Sequence, residues 1–150
     1  MTDKIEVIVH DDELLRQLPN YATTGSAAVD LRASIPEPLV VKSGGVVTIP
    51  TGLSIHIGDP NLAGVILPRS GLGHNHGIIL GNTIGLIDSD YQGEIKLSVW
   101  NRGPYEFLIS PYDRIAQMMF VVIERPTWKV VKKFSPSERG SGGYGSTGVK

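Results

Sequence analysis

Glycine and proline cut this chain so often that no helix of ordinary length fits between them: 18 Gly and 10 Pro fall within 150 residues. Between the cuts lie short apolar runs, and no apolar stripe of about 3.6-residue period persists anywhere. Leu53, Ile55 and Ile57 alternate strictly with their neighbours, as do Ile95, Leu97 and Val99, which is the two-residue period of a half-buried strand. Many short strands joined by tight turns predict an all-β fold, a barrel or sandwich closing its sheets on themselves. One short helical turn is expected over residues 69–77, with Ser70 placed to cap it.

The remaining elements follow from the same punctuation. Residues 5–9 read as an edge strand and 11–18 as a helical turn ended by Pro19. Residues 27–33, 39–41 and 46–49 read as strands, and Pro50-Thr51-Gly52 as a turn before 53–57. Residues 62–67, 107–109, 115–123 and 128–131 supply further strands. Residues 78–93 hold two apolar runs broken by Gly81, Asn82 and Gly85, the signature of a hairpin. They close on Asp88, Asp90 and Tyr91. Residues 1–134 are therefore expected to form one β domain, and 135–150, with glycines among serines and no apolar pattern, a tail that stays mobile until something holds it.

Composition removes several classes of function. A hydrophobic content of 41% and a formal net charge of −1 leave no basic footprint for nucleic acid or a membrane surface. With no cysteine there is neither a disulfide frame nor a thiolate site, which fits a reducing compartment. The charged first twelve residues lack the apolar core of a signal peptide, so a cytoplasmic location is expected.

A few residues resist a purely structural reading. Asp88 follows an apolar strand, where a carboxylate either accepts turn N–H bonds or acts as a base. Arg69, Ser70 and Gly71 bring a guanidinium, a hydroxyl and helix-start N–H groups together, which suits either a capped turn or a phosphate. Asp30 lies in an apolar strand, so it pairs with an arginine or faces a hydrated Mg²⁺. Gln117 interrupts residues 115–120 and bonds a neighbouring strand or a ligand. In the tail, Arg139 and Tyr144 among glycines form a plain terminus or a lid that closes on phosphate and base. His74 and His76 have no third ligand in view, and Lys129, Lys132 and Lys133 read as a solvated strand face.

The order of these features is more specific than any one of them. Ser26-Ala27-Ala28-Val29-Asp30-Leu31, Pro68-Arg69-Ser70-Gly71-Leu72-Gly73, Gly85-Leu86-Ile87-Asp88-Ser89-Asp90-Tyr91-Gln92-Gly93, Arg114-Ile115-Ala116-Gln117 and Arg139-Gly140-Ser141-Gly142-Gly143-Tyr144-Gly145-Ser146 resemble the five motifs of the trimeric deoxyuridine triphosphatases (dUTPases), of bacterial type. The resemblance implies a jelly-roll-like β-barrel, a homotrimer with active sites shared between subunits, and Mg²⁺-dependent hydrolysis of dUTP to dUMP and pyrophosphate. That reaction supplies dUMP for dTMP synthesis and keeps uracil out of DNA. It also implies the roles of individual residues. Asp88 orients the attacking water, and Tyr91 lies under the deoxyribose. Asn82, Leu86, Ile87 and the Asp88 backbone read uracil, with Lys96 on the next strand. Arg69, Ser70, Gly71 and Gln117 contact phosphate, and Asp30 bonds Mg²⁺-bound water. Arg139 clamps phosphate, and Tyr144 stacks on the base.

Two positions depart from the family pattern, Ala28 where Gly is frequent and Tyr144 where Phe is common; neither removes chemistry. A dCTP deaminase of related fold and a non-catalytic nucleotide sensor are the competing readings. The complete 85–91 segment and the Gly-rich tail favour hydrolysis of dUTP over deamination, and the joint presence of Asp30, Arg69, Ser70, Asp88 and Arg139 speaks against a sensor that has lost catalysis.

Overall fold

The structure, a computed structural model, describes residues 4–143. In chain order the strands are β1 (Glu6–Val9), β2 (Val29–Arg32), β3 (Leu39–Val41), β4 (Val46–His56), β5 (Leu62–Pro68), β6 (Ile78–Leu80), β7 (Gly85–Ile87), β8 (Glu94–Asn101), β9 (Phe107–Ile109) and β10 (Arg114–Val122). A 3-10 helix (Asp12–Arg16) follows β1, and the helix α1 (Ser70–His76) joins β5 to β6.

The alternation read in the sequence decides which faces meet. Ile95, Leu97 and Val99 of β8 are buried, as are Leu31 of β2, Ile49 of β4 and Ile109 of β9, and together they form one core. Two four-stranded sheets enclose it, ordered β1-β4-β8-β6 and β2-β10-β5-β7, with a separate β3-β9 ribbon. Every pairing is antiparallel. The all-β expectation holds, but among the described residues the sheets do not close on themselves: β1, β6, β2 and β7 all remain edge strands.

Four local expectations change. Pro50-Thr51-Gly52 is not a turn; β4 runs through it and shifts register against β8 between Pro50 and Ser54. Gly52, at φ 66°, takes the left-handed conformation, and the buried Thr51 hydroxyl donates to the Ile95 carbonyl at 2.7 Å. A bulge of this kind keeps a strand continuous where sequence punctuation suggests a break.

The expected hairpin over 78–93 does not pair with itself. β6 pairs with β8 and β7 with β5, so the chain crosses from one sheet to the other. A tight turn makes the crossing, with Thr83 N–H donating to Leu80 O at 3.0 Å and Ile84 N–H to Asn82 O at 2.7 Å. Glycines let β7 lie close on β5: a Cβ on Gly85 would come within 3.0 Å of Ile66 Cβ.

Ser70 is the first residue of α1, and its cap position is held by Arg69 in extended conformation without a side-chain bond. Residues 128–131 are not a strand; beyond Ile123 every described residue is exposed, Trp128 at 98%. A strand needs a partner for its backbone groups, and this segment finds none among the described residues. Tyr144 lies outside the described residues.

Candidate active site

β5 delivers Arg69 to the end of its sheet, where Pro68 stops the strand and α1 begins. The neighbouring strand β10 places Gln117 directly across from both Leu67 of β5 and Asp30 of β2. Three strands thus bring Asp30, Arg69 and Gln117 together from distant parts of the chain. With Ser70, Gly71, Asn75 and His76 they line a cleft of about 320 Å³. An added Cβ on Gly71 would meet nothing within 4 Å, so the backbone there is open to a ligand.

Both readings offered for Asp30 bear on this cleft, and the arginine pairing is present. Arg69 Nε lies 3.0 Å from Asp30 Oδ1, and Arg114 Nη1 lies 3.1 Å from Oδ2. Arg69 Nη1 also donates to the Arg114 carbonyl at 2.7 Å. Two guanidiniums on one carboxylate leave a net positive charge, and among the described residues the Arg69 contacts engage Nε and Nη1, which leaves Nη2 donors for an anion. Gln117 Nε2 donates to Pro68 O at 2.9 Å, which turns the amide toward the same opening. Arg114 received no role from the sequence. The only available signal was that it begins the Arg114-Ile115-Ala116-Gln117 motif.

The crossing segment builds a second cleft, of about 330 Å³, in which Asn82, Leu86, Ile87, Asp88, Tyr91 and Lys96 meet. β7 is an edge strand, so one side of its backbone is free to hydrogen-bond a flat polar group entering between β7 and β8. Tyr91 is fixed by its hydroxyl, which donates to Glu94 O at 3.1 Å. Its ring lies over Gly93, where an added Cβ would sit 2.7 Å from Tyr91 Cζ. Asp88 follows β7 directly, its carbonyl accepting from Tyr91 N–H at 3.2 Å, and its side chain is exposed. Asp90 is exposed as well.

The two clefts share no lining residue. Within one chain, the anion cleft and the cleft that holds Asp88 are separate surfaces. Arg139 lies in the exposed segment and lines neither cleft. His74 and His76 join no metal-ligand group of three or more among the described residues; the His76 ring packs instead against Phe107, centroids 5.2 Å apart.

Behind the anion cleft, the turn that leads into β10 is tied to the 3-10 helix. Asp11 accepts from Ser34 Oγ at 2.8 Å, from Tyr112 Oη at 3.0 Å and from Glu13 N–H at 3.1 Å. The Ser34 bond above all, with those from Tyr112 and Glu13, holds the Asp11 carboxyl below its ordinary value despite some desolvation. The same bond to Asp11 holds the Tyr112 phenol above its ordinary value.

An all-β protein with a guanidinium-lined cleft for an anion and a strand-edge cleft for a flat polar ring has the parts of a nucleotide-binding protein. The dUTPase family profile matches residues 16–148, and the chain belongs to that family. It is 58% identical over 146 residues to the deoxyuridine 5'-triphosphate nucleotidohydrolase of Methylibium petroleiphilum, covering 97% of this chain and 98% of that protein. It is 54% identical over 145 residues to the nucleotidohydrolase of the same name from Paraburkholderia xenovorans, with the same coverage. Among solved structures, the dUTPase of Staphylococcus bacteriophage 80alpha with dUpNHpp superposes at a TM-score of 0.86 and 23% identity, covering 99% of this chain and all of that one. A mutant dUTPase from phage phi11 of S. aureus, whose structure concerns the coordination of a structural Mg(II) ion, superposes at 0.78 and 18% identity over 89% of this chain. At these identities the structural likeness speaks for the fold.

Proposed function

We propose that this chain hydrolyses dUTP to dUMP and pyrophosphate at a site assembled from more than one copy of itself. The observation that carries this reading is the division of labour between the two clefts. The water-orienting candidate Asp88 stands in the cleft suited to uracil and sugar, while Arg69, Ser70, Gly71 and Gln117 stand in a separate one. A homotrimer that sets the strand-edge cleft of one subunit against the anion cleft of the next unites them. The exposed segment after Ile123, with Trp128, Val130 and Phe134 in solvent, supports such assembly, since exposed apolar side chains of this size favour burial against a partner.

In that site the uracil edge meets the free backbone of β7 near Asn82, Leu86 and Ile87, and the deoxyribose lies on the Tyr91 ring. Cytosine would leave buried polar groups unpaired, and a mismatch of that kind discriminates by roughly 10⁴. Lys96 lies beside the base. Asp88 aligns a water for in-line attack at the α-phosphorus and takes its proton; the new P–O bond forms as the bond to the bridging oxygen breaks and pyrophosphate leaves. Arg69, the Ser70 hydroxyl, the Gly71 N–H and Gln117 hold the phosphates and receive the charge that develops on the leaving group.

Asp30 fits a hydrated Mg²⁺ rather than a directly ligated ion. It is a single carboxylate, already engaged by two guanidiniums, and no group of three metal-ligating side chains exists among the described residues. Its remaining lone pairs suit waters on an ion that keeps most of its hydration shell. When bound, the ion withdraws charge from the triphosphate.

Residues 1–134 then form the catalytic β domain and 135–150 the tail, whose Arg139 clamps phosphate and whose Tyr144 stacks on the base. We place the enzyme in the cytoplasm. Pyrophosphate release measured across dUTP, UTP, dTTP and dCTP tests the proposal: release from dUTP alone is expected. Ammonia from dCTP, or no product from dUTP, would replace it with one of the competing readings.

A further inference from the structure

The bulge in β10 brings a residue that the proposed mechanism leaves without a task into contact with two members of the anion cleft. Side chains alternate faces along a strand, and here Ala116 and Met118 are buried while Gln117 faces the cleft. Unbroken alternation would put Arg114 on the buried face beside Ala116. Instead Ile115 and Ala116 are buried in succession, and the register against β2 slips between Arg114 and Ala116. A bulge re-aims the residue beside it, and Arg114 emerges on the side of Gln117 and Asp30.

There Arg114 holds two members of the cleft at two different atoms. Its Nη1 donates to Asp30 Oδ2 at 3.1 Å, and its carbonyl accepts from Arg69 Nη1 at 2.7 Å. It does not line the anion cleft; it lines a hollow behind Arg69 with Leu72, Phe107 and Asp113. The turn before it is pinned on several sides. Tyr112 N–H donates to Ala33 O at 2.7 Å, Arg32 Nη1 to Tyr112 O at 2.9 Å, and Tyr112 Oη to Asp11 at 3.0 Å. Tyr112 itself sits at φ 64°, a conformation that tyrosine adopts only where its surroundings impose it.

We propose that Arg114 is a positioning residue for the anion cleft. It fixes the Asp30 carboxylate and, through it and through its own carbonyl, the plane of the Arg69 guanidinium that receives the triphosphate. The inference rests on the dUTP hydrolysis proposed above, and the test keeps the two apart. Turnover of dUTP by the unaltered protein comes first; its absence overturns the activity itself.

With that activity present, Arg114→Gln is compared for dUTP turnover, for binding of an α,β-imido analogue of dUTP, and for binding of deoxyuridine, which carries no phosphate. Loss of one charge-assisted bond corresponds to an increase of about tenfold in KM for dUTP and in Kd for the analogue. Deoxyuridine affinity stays unchanged. Arg114→Lys, which restores a point charge beside Asp30 but not the fork, recovers part of the loss and leaves the KM raised about threefold. Unchanged constants in Arg114→Gln overturn the proposal, and so does an equal loss for deoxyuridine and for the analogue. If Arg114→Gln does not fold, Arg114→Lys decides: a KM raised about threefold with deoxyuridine unchanged supports the role, and an unchanged KM overturns it.

Discussion

At the scale of single residues, Asp88 and Gly93 bear on one cleft in opposite ways: Asp88 lines it, and Gly93 lies under the Tyr91 ring that lines it. Asp88 offers an exposed carboxylate at the end of β7. Its replacement by Asn keeps size and shape but removes the proton acceptor, so turnover of dUTP should fall by about 10² or more. Binding of the imido analogue, followed by calorimetry, should persist; near-normal turnover would show that another group orients the water. Gly93 acts by being absent: it leaves room for the Tyr91 ring. In the proposed site the Tyr91 ring under the deoxyribose crowds out a 2′-hydroxyl, so Gly93→Ala should displace that ring and raise the ratio of UTP to dUTP hydrolysis. A ratio equal to that of the unaltered protein would show that Tyr91 does not set it. The role of Gly93 is invisible in sequence, because nothing in a Tyr-Gln-Gly string says that the ring folds back over the third residue.

At the scale of elements, the bonds around Asp11 join the 3-10 helix to the turn before β10. Asp11 titrates below its ordinary value. The stability it contributes is therefore present above the unfolded-state pKa and lost as pH falls through the lower, folded one. Tyr112, raised above its ordinary value of 10.0, contributes below that value, and the contribution disappears as pH rises through the folded one. Asp11→Asn should thus lower the urea midpoint at neutral pH, with the deficit shrinking as the medium becomes more acidic than the ordinary carboxylate range. A deficit of constant size across pH would mean that the charge of Asp11 is not what matters.

Elements were legible to the extent that their own residues define them. The alternation in β8 and the apolar run of β10 announce strands whatever their partners. What could not be read was partnership. Gly81, Asn82 and Gly85 signal a reversal equally well for a hairpin and for a crossing between sheets, and only the positions of β5 and β8 decide between them. Pro50-Thr51-Gly52 has the chemistry of a turn, yet a hydroxyl bond to Ile95 absorbs it into β4. The candidate site followed the same rule. The residues alone named Asp30, Arg69 and Gln117 singly and the family resemblance implied that they meet, but the Arg114 that binds two of them depends on a register that the sequence does not spell out.

At the scale of the whole molecule, the exposed segment after Ile123 and the separation of the two clefts lead to linked expectations. Truncation before Arg139 should leave a folded trimer, seen by sedimentation, whose turnover drops by about 10² because the phosphates lose the clamp proposed for Arg139. Full activity of that truncation would reduce the segment to a linker. Specific activity of the complete chain should fall on dilution, together with its sedimentation coefficient; activity independent of concentration down to a monomer would refute a shared site.

The pairing of β2 with β10 has a further consequence, for the time before the protein is finished. Asp30 and Arg114, on neighbouring strands, are 84 residues apart in the chain. At a synthesis rate of about 5–20 residues per second, the Asp30 strand emerges from the ribosome roughly 4–17 s before the strand that will pair with it. Throughout that interval Val29 and Leu31 have no sheet to enter. The nascent chain must wait with an apolar strand uncovered, so its yield in the cell should depend on elongation speed and on chaperones far more than the stability of the finished fold suggests.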